Sequence, residues 1–121
     1  MMKLFSFEKL KVWQKSRELS VLIYNSTKTY PDNERFGLIS QMRRCSVSIS
    51  SNIAEGTGRH SLQDKARFTE ITFGSAMELL NQTILSNDLG LLSDDIYKTI
   101  RMELTEITEM LDGLYKSQKN S

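Results

Sequence analysis

A chain of 121 residues is long enough for one domain around one core, expected here to span 1–121. Apolar residues make up 39% and charged residues 26%; no run approaches the roughly 20 apolar residues of a membrane span, and the start, MMKLFSFEKL, has no apolar signal-peptide core, so no membrane partner and a cytoplasmic location are expected. One cysteine and one histidine exclude an internal disulfide and a Cys/His zinc site, and the net charge of +1 conceals ten cations against five acids in residues 1–60 and six against ten in residues 61–121.

One proline and six glycines leave few breaks, which favours long helices. The first is expected over about 7–29. Val12, Ser16, Leu19, Ile23 and Thr27 recur at spacings of four and three, and Trp13, Leu22 and Tyr24 widen that stripe. Tyr30-Pro31-Asp32-Asn33 then breaks it, because Pro31 biases Tyr30 away from helical angles; Asp32 or Asn33 is the expected cap of the next helix.

The second element, over about 34–55, is ambiguous at first reading. In "CSVSIS" Cys45, Val47 and Ile49 alternate with serines, as in a half-buried strand. A lone strand among helices would leave its backbone groups unpaired. Phe36, Ile39, Met42, Val47 and Ile53 also recur at spacings a helix tolerates, so a helix is the expectation. On it Val47 and Ile49 lie roughly 200° apart, which implies cover on two sides: the bundle core on one, another subunit on the other. Ser46 and Ser50 permit close helix contact. Gly56 is expected to end the helix in a left-handed cap, and Gly58 to help reverse the chain.

The third helix is expected over 62–88 and the fourth over 94–116. Ser61 and Ser93 are the expected N-caps, Asp64 suits the positive helix end, and Gly90 is a stop. Phe68, Ile71, Ser75, Leu79, Gln82 and Leu85 follow helical spacing in the third, with Gly74 and Ser75 admitting a neighbour. Ile96, Ile100, Leu104, Ile107, Leu111 and Leu114 do so in the fourth, and the tail KSQKNS is expected to fray. Four amphipathic helices with short connections predict an all-α, antiparallel up-down-up-down four-helix bundle.

No catalytic set follows. Gly56-Thr57-Gly58 has a helix before it and lacks the Lys-Ser/Thr of a phosphate loop. His60 sits on a turn, away from the serines a triad would need. Glu55, Glu70 and Glu78 lack the Glu-x-x-His motifs of bundle metal sites. Neither enzyme activity, a metal nor a cofactor is expected.

The arginines carry two readings. Arg43 and Arg44 lie mid-helix on the segment that reads as buried on two sides, and a buried arginine needs a carboxylate. One reading is a structural ion-pair network of Arg43 with Glu55 or Glu78. The other takes Arg43, Arg44, Arg59, Lys65 and Arg67, with Lys11, Lys15 and Arg17 on the first helix, as phosphate contacts for nucleic acid.

The segments "FEKLKVWQKSRELSVLIYNSTKTYP", "ERFGLISQMRRCSVSISSNIAEGTGRHS" and "FTEITFGSAMELLNQ" resemble the bacterial four-helix-bundle proteins encoded in intervening sequences of 23S ribosomal RNA genes. Val12-Trp13-Gln14, the Gln41/Arg43/Arg44 cluster and Asn52-Ile53-Ala54-Glu55-Gly56 carry the resemblance, which runs from about Phe7 to Leu92. It extends to the accessory variability proteins of diversity-generating retroelements. It implies an antiparallel bundle assembled as a five-fold ring with a basic surface for nucleic acid. Ser50 departs from the pattern, since relatives often carry proline there. The expected function is a non-enzymatic homo-oligomer that binds structured RNA; the alternative is a scaffold that holds a partner protein.

Overall fold

The computed structural model of the chain, described over residues 1–120, contains four helices and no strand among those residues. They are α1 (Lys11–Thr27), α2 (Ser40–Thr57), α3 (Leu62–Asp88) and α4 (Asp94–Lys119). The alternating stretch around Val47 is helix. Ile49 is wholly buried and Val47 is 42% exposed, so within one chain α2 is covered on one side only.

Each helix turns its apolar stripe inward, and the four stripes form one cluster. Leu19 and Ile23 from α1 meet Met42 and Ile49 from α2, Ala76 and Leu79 from α3, and Ile100, Leu104, Ile107 and Leu111 from α4. All ten are at most 2% exposed. Burial contributes roughly 1.5–3 kcal/mol for each of the leucine, isoleucine and methionine side chains among them.

Contacts between neighbours fix their directions. Ser20 Oγ donates to Ser46 O at 3.0 Å and Arg43 Nε to Thr27 Oγ1 at 2.9 Å, so rising numbers on α1 meet falling numbers on α2. Across α2 and α3, Cys45 faces Glu78 and Ser48 faces Ser75. Across α3 and α4, Thr69 bonds Gln118, whereas Met77 and Leu80 share a cleft with Leu104 and Thr105. Leu10 shares a cavity with Leu114, and Lys15 pairs with Glu103 and Glu106. The bundle is therefore antiparallel, up-down-up-down, with α1 beside α2 and α4, and α3 beside α2 and α4.

The stops and caps of α3 and α4 follow the sequence. Ser61 Oγ accepts from Asp64 N–H at 3.0 Å, and Ser93 Oγ from Ile96 N–H at 3.2 Å. Gly90 adopts φ +73°; its N–H reaches Asn87 O at 3.0 Å and that of Leu91 reaches Ser86 O at 2.9 Å, which is a Schellman stop.

Elsewhere the boundaries differ from expectation. A 3-10 turn over Ser6–Lys9 precedes α1, and Leu10 between them is extended. Phe7 stands edge-on to Trp13 at 5.0 Å, and Glu8 O accepts from Gln14 Nε2 at 2.8 Å, so side-chain packing bends a stretch that holds no breaker. The second helix begins at Ser40, six residues later than expected. A 3-10 turn over Asp32–Glu34 and a wide π-type turn over Arg35–Ile39 stand before it, with Gly37 outside helical angles. Glu34, and neither Asp32 nor Asn33, caps this turn by accepting from Leu38 N–H at 3.2 Å. Phe36, counted toward the buried stripe, is 87% exposed.

Gly56 is no left-handed cap. It lies buried inside α2, and Gly90 is the one residue with positive φ among the described residues. A Cβ at Gly56 would stand 2.9 Å from Phe68 Cβ, so the glycine lets α3 approach α2. Gly74, assigned that role from the sequence, has nothing within 4 Å of a Cβ; Ser75 alone makes the contact, with Ser48 at 2.9 Å. On α3 the expected Phe68, Leu79 and Gln82 are buried together with Thr72, Ala76, Thr83 and Ser86, while Ile71 and Leu85 are exposed. The helix of α4 continues through the tail to Lys119; Ser121 lies outside the described residues.

Candidate nucleic-acid interface

The eight basic residues singled out in the sequence separate into three environments. The first is the turn from α2 to α3. Gly58 N–H and Arg59 N–H fold back on the carbonyls of Glu55 and Gly56, both at 3.1 Å, and Ser61 starts α3 at once. This short connection sets Arg59 beside the first two turns of α3. The guanidinium carbons of Arg59 and Arg67 lie 4.6 and 4.7 Å from the centre of the Phe68 ring, so one buried phenyl holds two cations. Asp64 accepts from Arg67 Nε at 2.9 Å. It stands 3.8 Å from Arg59 Nε, an ion-pair distance too long for a hydrogen bond, and that nitrogen has no hydrogen-bond partner. Glu55 adds a contact of 3.7 Å to Arg59. Lys65 Nζ donates to the Thr57 carbonyl at 3.0 Å. Three cations and two carboxylates meet here, leaving a net of +1.

The second environment is half-buried, between neighbouring helices. Arg43 Nε donates to Thr27 Oγ1 at 2.9 Å and its NH2 group to Tyr24 O at 3.2 Å, with the guanidinium 4.7 Å over the Tyr24 ring. The expected pairing of Arg43 with Glu55 or Glu78 is not formed: Glu55 meets Arg59, and Glu78 accepts from the Cys45 thiol at 3.2 Å. Arg43 projects from the α1 side of α2, whereas Cys45, two residues on, faces α3. Burial first, then the Glu78 hydrogen bond, pushes the Cys45 thiol up to about 11, so it stays protonated and unreactive at neutral pH. Lys15 reaches Glu106 at 2.7 Å and Glu103 at 3.3 Å and ties α1 to α4. The Glu106 hydrogen bond leads in raising its pKa, against the opposing effect of burial.

The third environment is open surface. Lys11, Arg17 and Arg44 are exposed and form no ion pair among the described residues. Arg17 lies 5.5 Å over the Trp13 ring, which holds its guanidinium without neutralising it.

The charge asymmetry of the sequence is also one between helices. α1 and α2 carry five cations against two carboxylates, and α3 and α4 carry six against ten. α1 adjoins α2 and α3 adjoins α4, and Lys15 of α1 is paired with Glu103 and Glu106 of α4.

The sequence profile of the 23S rRNA-intervening sequence proteins matches residues 8–113. The chain belongs to that family. No curated protein sequence matches it. A crystal structure of a protein of unknown function from the S23 ribosomal protein family of Bacteroides thetaiotaomicron is similar, with a TM-score of 0.80 and 27% identity over 87% of this chain and 98% of that one.

In this 23S rRNA-intervening sequence protein, no three His, Cys, Asp or Glu side chains converge on a metal position among the described residues. No helix of those residues is long and apolar enough to cross a membrane. Two features of the surface were not singled out from the sequence. Asp64 sits between Arg59 and Arg67; the three-residue spacing to Arg67 was the available signal. Phe36 projects into solvent with the Arg35 guanidinium 5.6 Å from its ring, and no sequence pattern marks that exposure, because the unusual turn around Gly37 produces it.

Proposed function

We propose that the chain is a non-enzymatic, cytoplasmic homo-oligomer that binds structured RNA through its basic α1/α2 side. The observation that supports this reading is the charge asymmetry between helices, with Lys11, Arg17 and Arg44 left free of carboxylates on α1 and α2. Unpaired surface cations release condensed counterions when they meet phosphate, which gives affinity without sequence preference. Arg59, Lys65 and Arg67 extend the surface at one end of the bundle. Oligomerisation repeats each weak site and raises avidity; the family resemblance favours a five-fold ring.

The test is a titration of a labelled RNA hairpin at low and moderate salt, paired with light scattering. Weak, salt-sensitive binding is expected, with a log–log slope near −0.9 per phosphate contact on duplex RNA-like helices, taking the B-DNA value. Arg17→Ala/Arg44→Ala is expected to flatten that slope and leave the oligomer mass unchanged. The absence of binding at low salt would favour the second reading, a scaffold for a partner protein. That reading is supported by Val47, Ile71, Phe73, Met77, Leu85 and Met102, which remain 38–59% exposed. A monomer mass at micromolar concentration would remove the oligomer from the reading.

A further inference from the structure

We propose that the cavity at the end of the bundle where α2 turns into α3 binds a small amphipathic organic anion, a carboxylate carrying an apolar body. The cavity encloses about 320 Å³. At roughly 30 Å³ per water-sized volume it accommodates on the order of ten non-hydrogen atoms. All four helices or their flanks supply its wall: Leu10 before α1, Ile53 from α2, Phe68 from α3 and Leu114 from α4. Pockets between bundle helices with apolar walls and few polar groups are the common form of small-molecule site.

The charge of the ligand follows from the polar groups that remain. No aspartate or glutamate lines the cavity among the described residues, and Lys65 is its one cation. Two hydroxyls in the lining, those of Thr57 and Thr72, already donate to the carbonyls of Ala54 and Phe68, at 2.7 and 2.8 Å. The half-buried Lys65 ammonium donates to the Thr57 carbonyl and forms no ion pair among the described residues, so it keeps donors without a counter-ion there. A neutral ligand would leave that charge uncompensated; a carboxylate would pair with it. The wall is also preformed. The buried Phe68 ring lies 4.6 and 4.7 Å from the Arg59 and Arg67 guanidinium groups and its Cβ stands against Gly56, so it need not be ordered by binding.

Octanoate, with its carboxylate and seven further carbons, is the probe, and 1-octanol is the neutral control of the same length. Because Lys65 also belongs to the proposed RNA surface, binding is read inside the cavity, from the methyl resonances of Leu10, Ile53 and Leu114 in the full-length protein. Octanoate is expected to shift these three saturably, and octanol to bind roughly tenfold more weakly or worse, the scale of one charge-assisted hydrogen bond. Lys65→Met is expected to bring octanoate down to the octanol level. Ile53→Trp is expected to fill the cavity and abolish both; should that variant lose its helical circular dichroism, Leu10→Trp at the half-buried rim takes its place. Absence of saturable shifts at these methyls overturns the proposal. So does equal affinity for octanoate and octanol, or octanoate binding that Lys65→Met leaves unchanged.

Discussion

Arg43 and Arg44 are neighbours in sequence, yet on a helix they diverge by about 100° and their guanidinium groups end in different surroundings. Arg43 crosses to α1 and bonds a hydroxyl and a carbonyl; Arg44 stays in solvent. The distinction decides what each substitution does. If a carboxylate had paired with a buried Arg43, its removal would strand a charge at a cost of roughly 3–5 kcal/mol. With neutral acceptors and a tyrosine face as its partners, Arg43→Ala is expected to cost about 1–2 kcal/mol. Thermal melting should show a loss of several degrees, and Arg44→Ala should show none. A collapse of the fold on Arg43→Ala would mean that an acidic partner had been stranded after all. Neither side chain's direction is legible in the sequence. A long flexible stem lets an arginine at one position reach either adjoining helix or water, and periodicity fixes only where the stem begins.

At the level of helices, what reads clearly is aliphatic, and what misleads is small or polar. The stripe of α1 from Val12 to Thr27 is buried where the spacing places it, and so is that of α4 from Ile100 to Leu111, with Ile96 and Leu114 at its ends half-buried. The expected stripe of α3 is right at Phe68, Leu79 and Gln82, which are buried, and wrong at Ile71 and Leu85, because much of the inward face is built from hydroxyl residues. Thr72 and Thr83 turn their protons onto the carbonyls of Phe68 and Leu79, both at 2.8 Å, and present methyl groups to the core. Hydrophobicity counts such residues as polar and prefers Ile71 and Leu85, which lie 41% and 45% exposed. The glycines of α2 and α3 exchange roles for a related reason, since the sequence shows that a side chain is missing but not what stands opposite. Gly56→Ala would force α2 from α3 and is expected to destabilise by about 1–3 kcal/mol. Gly74→Ala meets open space in mid-helix and is expected to stabilise by up to about 1 kcal/mol. Denaturant melts of the two variants should move in opposite directions; a common direction would contradict this packing of α2 on α3.

For the molecule as a whole, the hairpin order makes nearly every long-range contact one between consecutive helices or between the first and the last. The contact between first and last brings Ser6 and Gln118 to the wall of the same cavity, at opposite ends of the described chain. Topologically the bundle is thus a closed cycle of four hairpins with one link cut, and the position of the cut is interchangeable. A permuted chain that joins the region of Gln118 to that of Ser6 through a short Gly/Ser linker, and opens instead between the exposed Asp32 and Asn33, retains every helix and every pair of neighbours. It is expected to fold with the same helical circular dichroism and a melting temperature within a few degrees of the parent. The permutant would also separate two roles that the natural order combines. The segment before α1 would then enter the cavity wall tethered at both ends, and the site at that end of the bundle could be redesigned as an internal loop.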